Sequence, residues 1–274
     1  MRLDGKMALV TGAGQGIGRA VAQALAAEGA KVAVVDLQLK AAEATAAHLS
    51  GSGHVAYACD VSDSAAVAGV FKAAQQALGA IDILVNNAGI GQAPGDGAER
   101  YQTLLTERMS EISAGKTPSV FAEQTPYMED RGWQTVIDVN LNGTFYCCRE
   151  ALRSMIEHER AGAIVNISST SALSGEGGLH YCASKAGILG ITRGLAEEFG
   201  PRGIRINAIT PGPTDTPAMA GIPDAWRQSM AQRVPLNRLA QPEEIAKAVV
   251  FLASDEASYV QGATLYVNGG MVMS

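Results

Sequence analysis

The stretch Met7-Ala8-Leu9-Val10-Thr11-Gly12-Ala13-Gly14-Gln15-Gly16-Ile17-Gly18, followed by the Ala-rich run Arg19 to Ala27, decides the architecture. Met7 to Val10 reads as a short buried strand, the glycines as a tight turn, and the Ala-rich run as a helix. Gly12 can take dihedrals that a Cβ forbids, while Gly16 and Gly18 let backbone approach a pyrophosphate and let the helix pack closely on the sheet. A dinucleotide's phosphates then meet a helix N-terminus beside Gln15 and Ile17. Its free amides and positive dipole end attract anions there without a lysine.

Outward from this turn, Val- and Ile-rich runs alternate with helical segments. The predicted strands are Met7 to Val10, Lys31 to Val35, His54 to Ala58, Ile83 to Val85, Ala163 to Ile167, Ile204 to Ala208 and Thr264 to Val267. Such alternation, with right-handed crossovers, implies an α/β fold: a doubly wound parallel Rossmann-type sheet of about seven strands with helices on both faces. The second strand ends in Val34-Val35-Asp36, roughly twenty residues past the glycines, where a carboxylate can bond both adenosine ribose hydroxyls. Asp36 therefore favours NAD. A 2′-phosphate would be repelled by that carboxylate, and neither Gln15 nor Leu37 offers a cation. Cys59-Asp60-Val61 and Asn86-Asn87-Ala88-Gly89 end the next two strands, on the ligand side of such a sheet. Asp60 is placed to bond the adenine amino group, with Val61 beside the ring and Asn87, Ala88 and Gly89 along the ribose. Asp60 reads equally well as the N-cap of the following helix.

With 274 residues, 47% of them hydrophobic, the chain can bury the core of one α/β domain spanning residues 1–274. A net charge of -6 without Lys/Arg clusters argues against nucleic-acid or membrane-surface partners. Cys59, Cys147, Cys148 and Cys182 form no C-x-x-C pair and are expected to be reduced packing residues. The opening residues lack a secretory pattern, so a cytoplasmic location is expected. Residues 91–131 break the alternation with polar, Gly- and Pro-containing sequence and a weak helical period over Ala98 to Ser113. They read as an insertion that lines or covers a substrate site.

Tyr181-Cys182-Ala183-Ser184-Lys185 opens a strongly helical segment. At i, i+4 the two side chains share a face, so an ammonium can lower a phenol that is otherwise too weakly acidic to exchange protons at neutral pH. Upstream, Ala163 to Ile167 ends in Ser168-Ser169, which puts a hydroxyl at the crevice. His180 is expected at a solvent-edge loop, and no second histidine at ligand spacing supports a metal.

Taken in order, the glycine turn, Asp36, Asn86-Asn87-Ala88-Gly89, the strand-end serines and Tyr181-x-x-x-Lys185 resemble the short-chain dehydrogenase/reductase family over nearly the whole chain. The resemblance implies Tyr181 as catalytic acid/base, Lys185 as its pKa modulator and ribose ligand, and a strand-end serine as donor to the substrate oxygen. It also implies that Asn140 holds a water in a proton relay. The family's usual serine-to-tyrosine spacing selects Ser168, whereas the strand end selects Ser169. Ser169 is preferred, because the Gly177-Gly178-Leu179-His180 loop absorbs a deletion more readily than a strand changes register.

Pro211-Gly212-Pro213-Thr214-Asp215-Thr216 resembles the family's segment that closes on nicotinamide, with Thr214 and Thr216 bonding the carboxamide and phosphates. Residues 217–234 follow as a mobile substrate loop, and the family implies a homotetramer. The expected activity is NAD-dependent hydride exchange between a nicotinamide and a small secondary alcohol or ketone, in the oxidative direction. The alternatives are an NADP-type 3-ketoacyl-thioester reductase and a non-catalytic NAD-binding sensor.

Overall fold

The apolar runs become strands and the Ala-rich segments helices, in a computed structural model that describes residues 1–273. In chain order, β1 (Met7–Thr11) leads to α1 (Gly16–Ala27), β2 (Lys31–Asp36) to α2 (Leu39–Ala46), and β3 (Val55–Ala58) to α3 (Ser64–Leu78). After β4 (Ile83–Asn86) come α4 (Ala98–Ser113), α5 (Asp130–Ile137) and α6 (Gly143–Glu157). Then β5 (Gly162–Ile167) is followed by the single turn α7 (Ser171–Ser174) and the long α8 (Leu179–Phe199). The chain finishes with β6 (Ile204–Pro211), α9 (Asp224–Gln232), α10 (Pro242–Ala253) and β7 (Thr264–Val267).

All seven strands pair in parallel in the order β3-β2-β1-β4-β5-β6-β7, the α/β Rossmann-like arrangement expected. The chain winds outward from β1 to β3, then crosses back to β4 on the other side of β1. The crevice at that reversal, outside the carboxyl ends of β1 and β4, is where such sheets bind ligands. Alternation along each strand feeds two cores. Ala8, Val10, Val32, Val34 and Val85 pack with α1 and α10, while Leu9, Ala33, Val35, Leu84 and Ile164 pack with α3 and α6.

Four strand ends extend one residue beyond expectation, at Thr11, Asp36, Asn86 and Gly162, and two others differ for a visible reason. β3 begins at Val55 because the His54 ring takes the ladder position, its Nδ1 accepting the Val32 amide at 3.1 Å. β6 runs on to Pro211, since Ile209, Thr210 and Pro211 pair with Leu265, Tyr266 and Val267. The helical period within residues 91–131 becomes α4, which buries none of its residues. Between α5 and α6 the chain stays helical through one π turn, Asp138–Asn142. Such turns carry an extra residue and recur at functional sites. Cys59, Cys147 and Cys148 are buried and Cys182 half-buried, all as free thiols, and burial pushes the Cys148 thiol up to about 12. Among the described residues no helix is long and apolar enough to cross a membrane.

Candidate active site

A cleft of about 720 Å³ lies at the reversal point, within the usual range for a ligand site. Gly12, Gln15, Gly16 and Ile17 line it from the β1–α1 turn, and Asp36 stands at one end. Gly12 and Gly16 have φ of +61° and +55°, and a Cβ on Gly12 would meet the Ala88 backbone at 2.8 Å. Gly18, expected both to admit the pyrophosphate and to pack the helix, is not among the residues lining the cleft and abuts the Gly12 carbonyl and the Asn87 amide. Gly14, assigned no role above, donates its N–H to Asp36 Oδ2 at 2.8 Å, and Gln38 donates its N–H to Oδ1 at 3.0 Å. A Cβ on Gly14 would sit 2.7 Å from that same carboxylate.

Asp60, Val61, Asn87, Ala88 and Gly89 also line the cleft. Asp60 is not the cap of α3. Asp63 is, accepting the Ala65 and Ala66 amides, while Asp60 Oδ1 accepts from Ser62. Asn87 Nδ2 donates to the Thr11 and Gly12 carbonyls, and Thr11 Oγ1 accepts the Asn87 and Ala88 amides, so the two strand ends brace each other. Pro211, Gly212, Thr214 and Thr216 close the cleft from β6. Thr214 Oγ1 donates to the Gly212 carbonyl at 2.9 Å, and the Thr216 side chain lies against Gly16.

Ser169, Tyr181 and Lys185 line the cleft on the β5 side, with β1 and β4 between them and the β2 end that carries Asp36. The two serines diverge. Ser168 Oγ donates to the Lys185 carbonyl at 2.7 Å and ties α8 to β5, whereas Ser169 Oγ donates to Ser171 Oγ at 3.1 Å and lines the cleft together with Tyr181. Lys185 Nζ donates to the Ile167 carbonyl at 3.0 Å and lies 5.7 Å from the centre of the Tyr181 ring. Asn140, on the π turn, is wholly buried behind Gly89: it accepts from Ile90 N–H at 2.8 Å and donates to Ile90 O and Ser184 Oγ. A Cβ on Gly89 would lie between Asn140 Oδ1 and Lys185 Nζ, at 3.2 and 3.3 Å.

Electrostatically the pair differs from expectation. Burial holds the Tyr181 phenol above its ordinary value, with the Ser169 hydroxyl pulling it partly back. Burial also brings Lys185 down from 10.5 to about 8. A shared helix face brings the two groups together, but the spacing carries no information about desolvation.

His180 is a second correction. It is fully buried on the first turn of α8, with Nε2 3.2 Å from Asp96 Oδ2 and Nδ1 accepting the Tyr181 amide at 2.8 Å. The loop reading failed because its partner lies far back in the chain, within residues 91–131. Also unforeseen, Arg233, just past α9, forms an ion pair with Glu176, which joins residues 217–234 to the segment ahead of Tyr181. Among the described residues no group of three or more His, Cys, Asp or Glu could hold a metal.

The site fits a dinucleotide: a Cβ-free cradle at the helix N-terminus, a carboxylate on the β2 side, and hydroxyl, phenol and amine on the β5 side. A family profile described as short chain dehydrogenase matches residues 6–226. D-threitol dehydrogenase of Mycolicibacterium smegmatis is 40% identical, over 98% of this chain and 94% of its own. The 3-oxoacyl-[acyl-carrier-protein] reductase FabG of Escherichia coli is 38% identical over the whole of both chains. A crystal structure from Sinorhizobium meliloti described as a short-chain alcohol dehydrogenase superposes with TM-score 0.82 at 35% identity, covering 98% of this chain and 97% of its own.

Proposed function

The chain belongs to the short-chain dehydrogenase family of oxidoreductases, and on that premise we propose that it is an NAD-dependent dehydrogenase of small secondary alcohols, polyols among them. The convergence of the Tyr181 phenol, Ser169 and Lys185 on the β5 side of the cleft carries this reading. The nicotinamide, when bound, supplies the hydride acceptor. Tyr181, ionised against the Lys185 charge, takes the substrate's hydroxyl proton at Oη as a phenolate and becomes the phenol, and Ser169 Oγ orients the same substrate oxygen. Lys185 holds positive charge beneath the phenol and binds ribose, and Asn140 with Lys185 passes the proton on through water.

We favour NAD over NADP because the Asp36 carboxylate, held by two backbone amides at the end of β2, would repel a 2′-phosphate bound beside it. The oxidative direction follows the NAD preference, and the threitol dehydrogenase supports an alcohol substrate. The exposed Phe145 on α6 and Leu179 on α8 suit a homotetramer.

The full-length match to FabG supports a second reading, a 3-ketoacyl-thioester reductase using NADPH. Two assays separate them: NADH formation from D-threitol and a panel of secondary alcohols, and NADPH consumption with an acetoacetyl thioester. Turnover in the first, lost in Tyr181→Phe, is the expected result. Turnover in the second alone overturns the NAD assignment, and equal turnover by Tyr181→Phe overturns the acid/base role. NAD binding without turnover in either would leave a sensor.

A further inference from the structure

α8 carries the proposed acid/base on its first turn, yet its N-cap, Gly178, has no side chain to accept the unpaired amides there. His180 does so instead: Nδ1 accepts the Tyr181 N–H at 2.8 Å. That acceptance requires a lone pair on Nδ1 and places the ring proton on Nε2, which faces Asp96 Oδ2 at 3.2 Å. Both side chains are buried, the imidazole completely. Although burial pushes the Asp96 carboxyl up, amide donation from Ala98 and Ala93 and the bond to His180 hold it below the usual carboxylate range.

Asp96 belongs to the neck of the 91–131 segment, and the neck is tightly built. The Asp96 oxygens accept the Ala93 amide at 3.0 Å and the Ala98 amide at 2.8 Å, and Gln124 Nε2 donates to the Asp96 carbonyl at 2.9 Å. Glu129 N–H donates to Gly95 O at 2.8 Å, and a Cβ on Gly132 would strike Asp96 N at 2.5 Å. Residues 91–131 thus grip the tyrosine's helix through one carboxylate.

We propose that Asp96 and His180 are a positioning pair: Asp96 fixes the Nε2–H tautomer of His180, whose Nδ1 then fixes the backbone, and so the phenol, of Tyr181. This rests on the enzymatic reading above. Without the carboxylate the proton can move to Nδ1, where it opposes the Tyr181 N–H and loosens the turn that aims the phenol. Neither residue reaches the reacting atoms, so NAD affinity and KM stay near wild type while kcat falls.

A double-mutant cycle with turnover and NAD affinity measured throughout tests this. In His180→Asn, Oδ1 stands in for Nδ1 and accepts the Tyr181 amide with no tautomer to set. Asp96→Ala alone should lower kcat about tenfold, equivalent to about 1.4 kcal/mol of misaligned transition state. The same substitution in the His180→Asn background should change kcat less than about twofold, whereas a merely structural loss at the neck would cost the same factor in both. Should Asp96→Ala not fold, Asp96→Asn, which turns an amide donor toward donors, takes its place in the cycle. Nitrogen-15 NMR of imidazole-labelled protein, with His180 assigned by its loss in His180→Asn, reads the tautomer directly. Protonated Nε2 in the wild type and a mixed state in the Asp96 variant are expected. Protonated Nδ1 in the wild type, or equal kcat losses in both backgrounds, would overturn the pair. Absence of wild-type turnover would instead sink the enzymatic reading, leaving the NMR result to decide the tautomer coupling alone.

Discussion

Replacing Lys185 with methionine should stabilise the protein while abolishing its activity. The ammonium is buried, and burial lowers it from 10.5 to about 8. At about 1.4 kcal/mol per tenfold, keeping that charge in the folded state costs about 3 kcal/mol. Methionine fills similar volume without charge. It gives up the bond to the Ile167 carbonyl, worth about 1 kcal/mol, for a net gain of about 2 kcal/mol. For a chain of this size that raises Tm by about 4–8 °C at pH 7.

The gain has a pH signature. Below pH 8 the lysine is protonated in both folded and unfolded chains, and the wild type carries the whole penalty. Between about 8 and 10.5 the unfolded chain binds the proton that the folded one has released, so wild-type stability rises with pH relative to the variant. Thermal unfolding of both proteins at equal concentration, at pH 7 and at pH 10, tests this. The advantage of Lys185→Met should shrink or reverse at the higher pH, with turnover down by about 10³-fold or more throughout. A variant less stable at pH 7, or a difference independent of pH, would refute the desolvation argument.

Other substitutions separate the remaining parts. Gly14→Ala places a methyl group 2.7 Å from the Asp36 carboxylate, so NAD affinity should fall about tenfold, by titration of NADH fluorescence, although no cofactor contact has been removed. Ser169→Ala should lower kcat about 10²-fold, the scale of one lost donor to a reacting oxygen, whereas Ser168→Ala should mainly cost about 1 kcal/mol in denaturant unfolding. Gly18→Ala drives a Cβ into the Gly12 carbonyl and should destabilise the fold by about 2 kcal/mol or more, seen as a lower Tm before any cofactor is added.

The sheet was legible because each buried strand is a continuous apolar run and its carboxyl end carries the polar residues facing the cleft. Asp36, Asn87 and Ser169 could be placed by that logic alone. Three things were not legible. Asp96 and His180 are brought together only by the path of residues 91–131, and neither position has a periodicity to betray it. The Gly14–Asp36 contact depends on how closely two loops approach, which composition does not encode. Desolvation of Tyr181 and Lys185 depends on everything packed above them. The helical period of Ala98 to Ser113, by contrast, is a local property and was readable even in a segment whose function was not.

The π turn has a consequence for how the α5–α6 rod is phased. Gly132, Val136, Asn140 and Thr144 are all buried, at a strict spacing of four. In a regular helix, at about 100° per residue, that spacing would drift by about 120° across the set and carry one end round to solvent. The extra residue of the wide turn takes up about 100° of this drift, so all four remain on one inward line. Straightening this turn into regular helix with all its residues kept would, with Thr144 held in place, swing Gly132 by about 100° off the Gly95–Asp96 backbone, whereas deleting one residue from Asp138–Asn142 would leave Gly132 and Thr144 in phase. The defect acts as a phase corrector, keeping the neck of the 91–131 segment and the wall of the cleft on the same side of one helical rod.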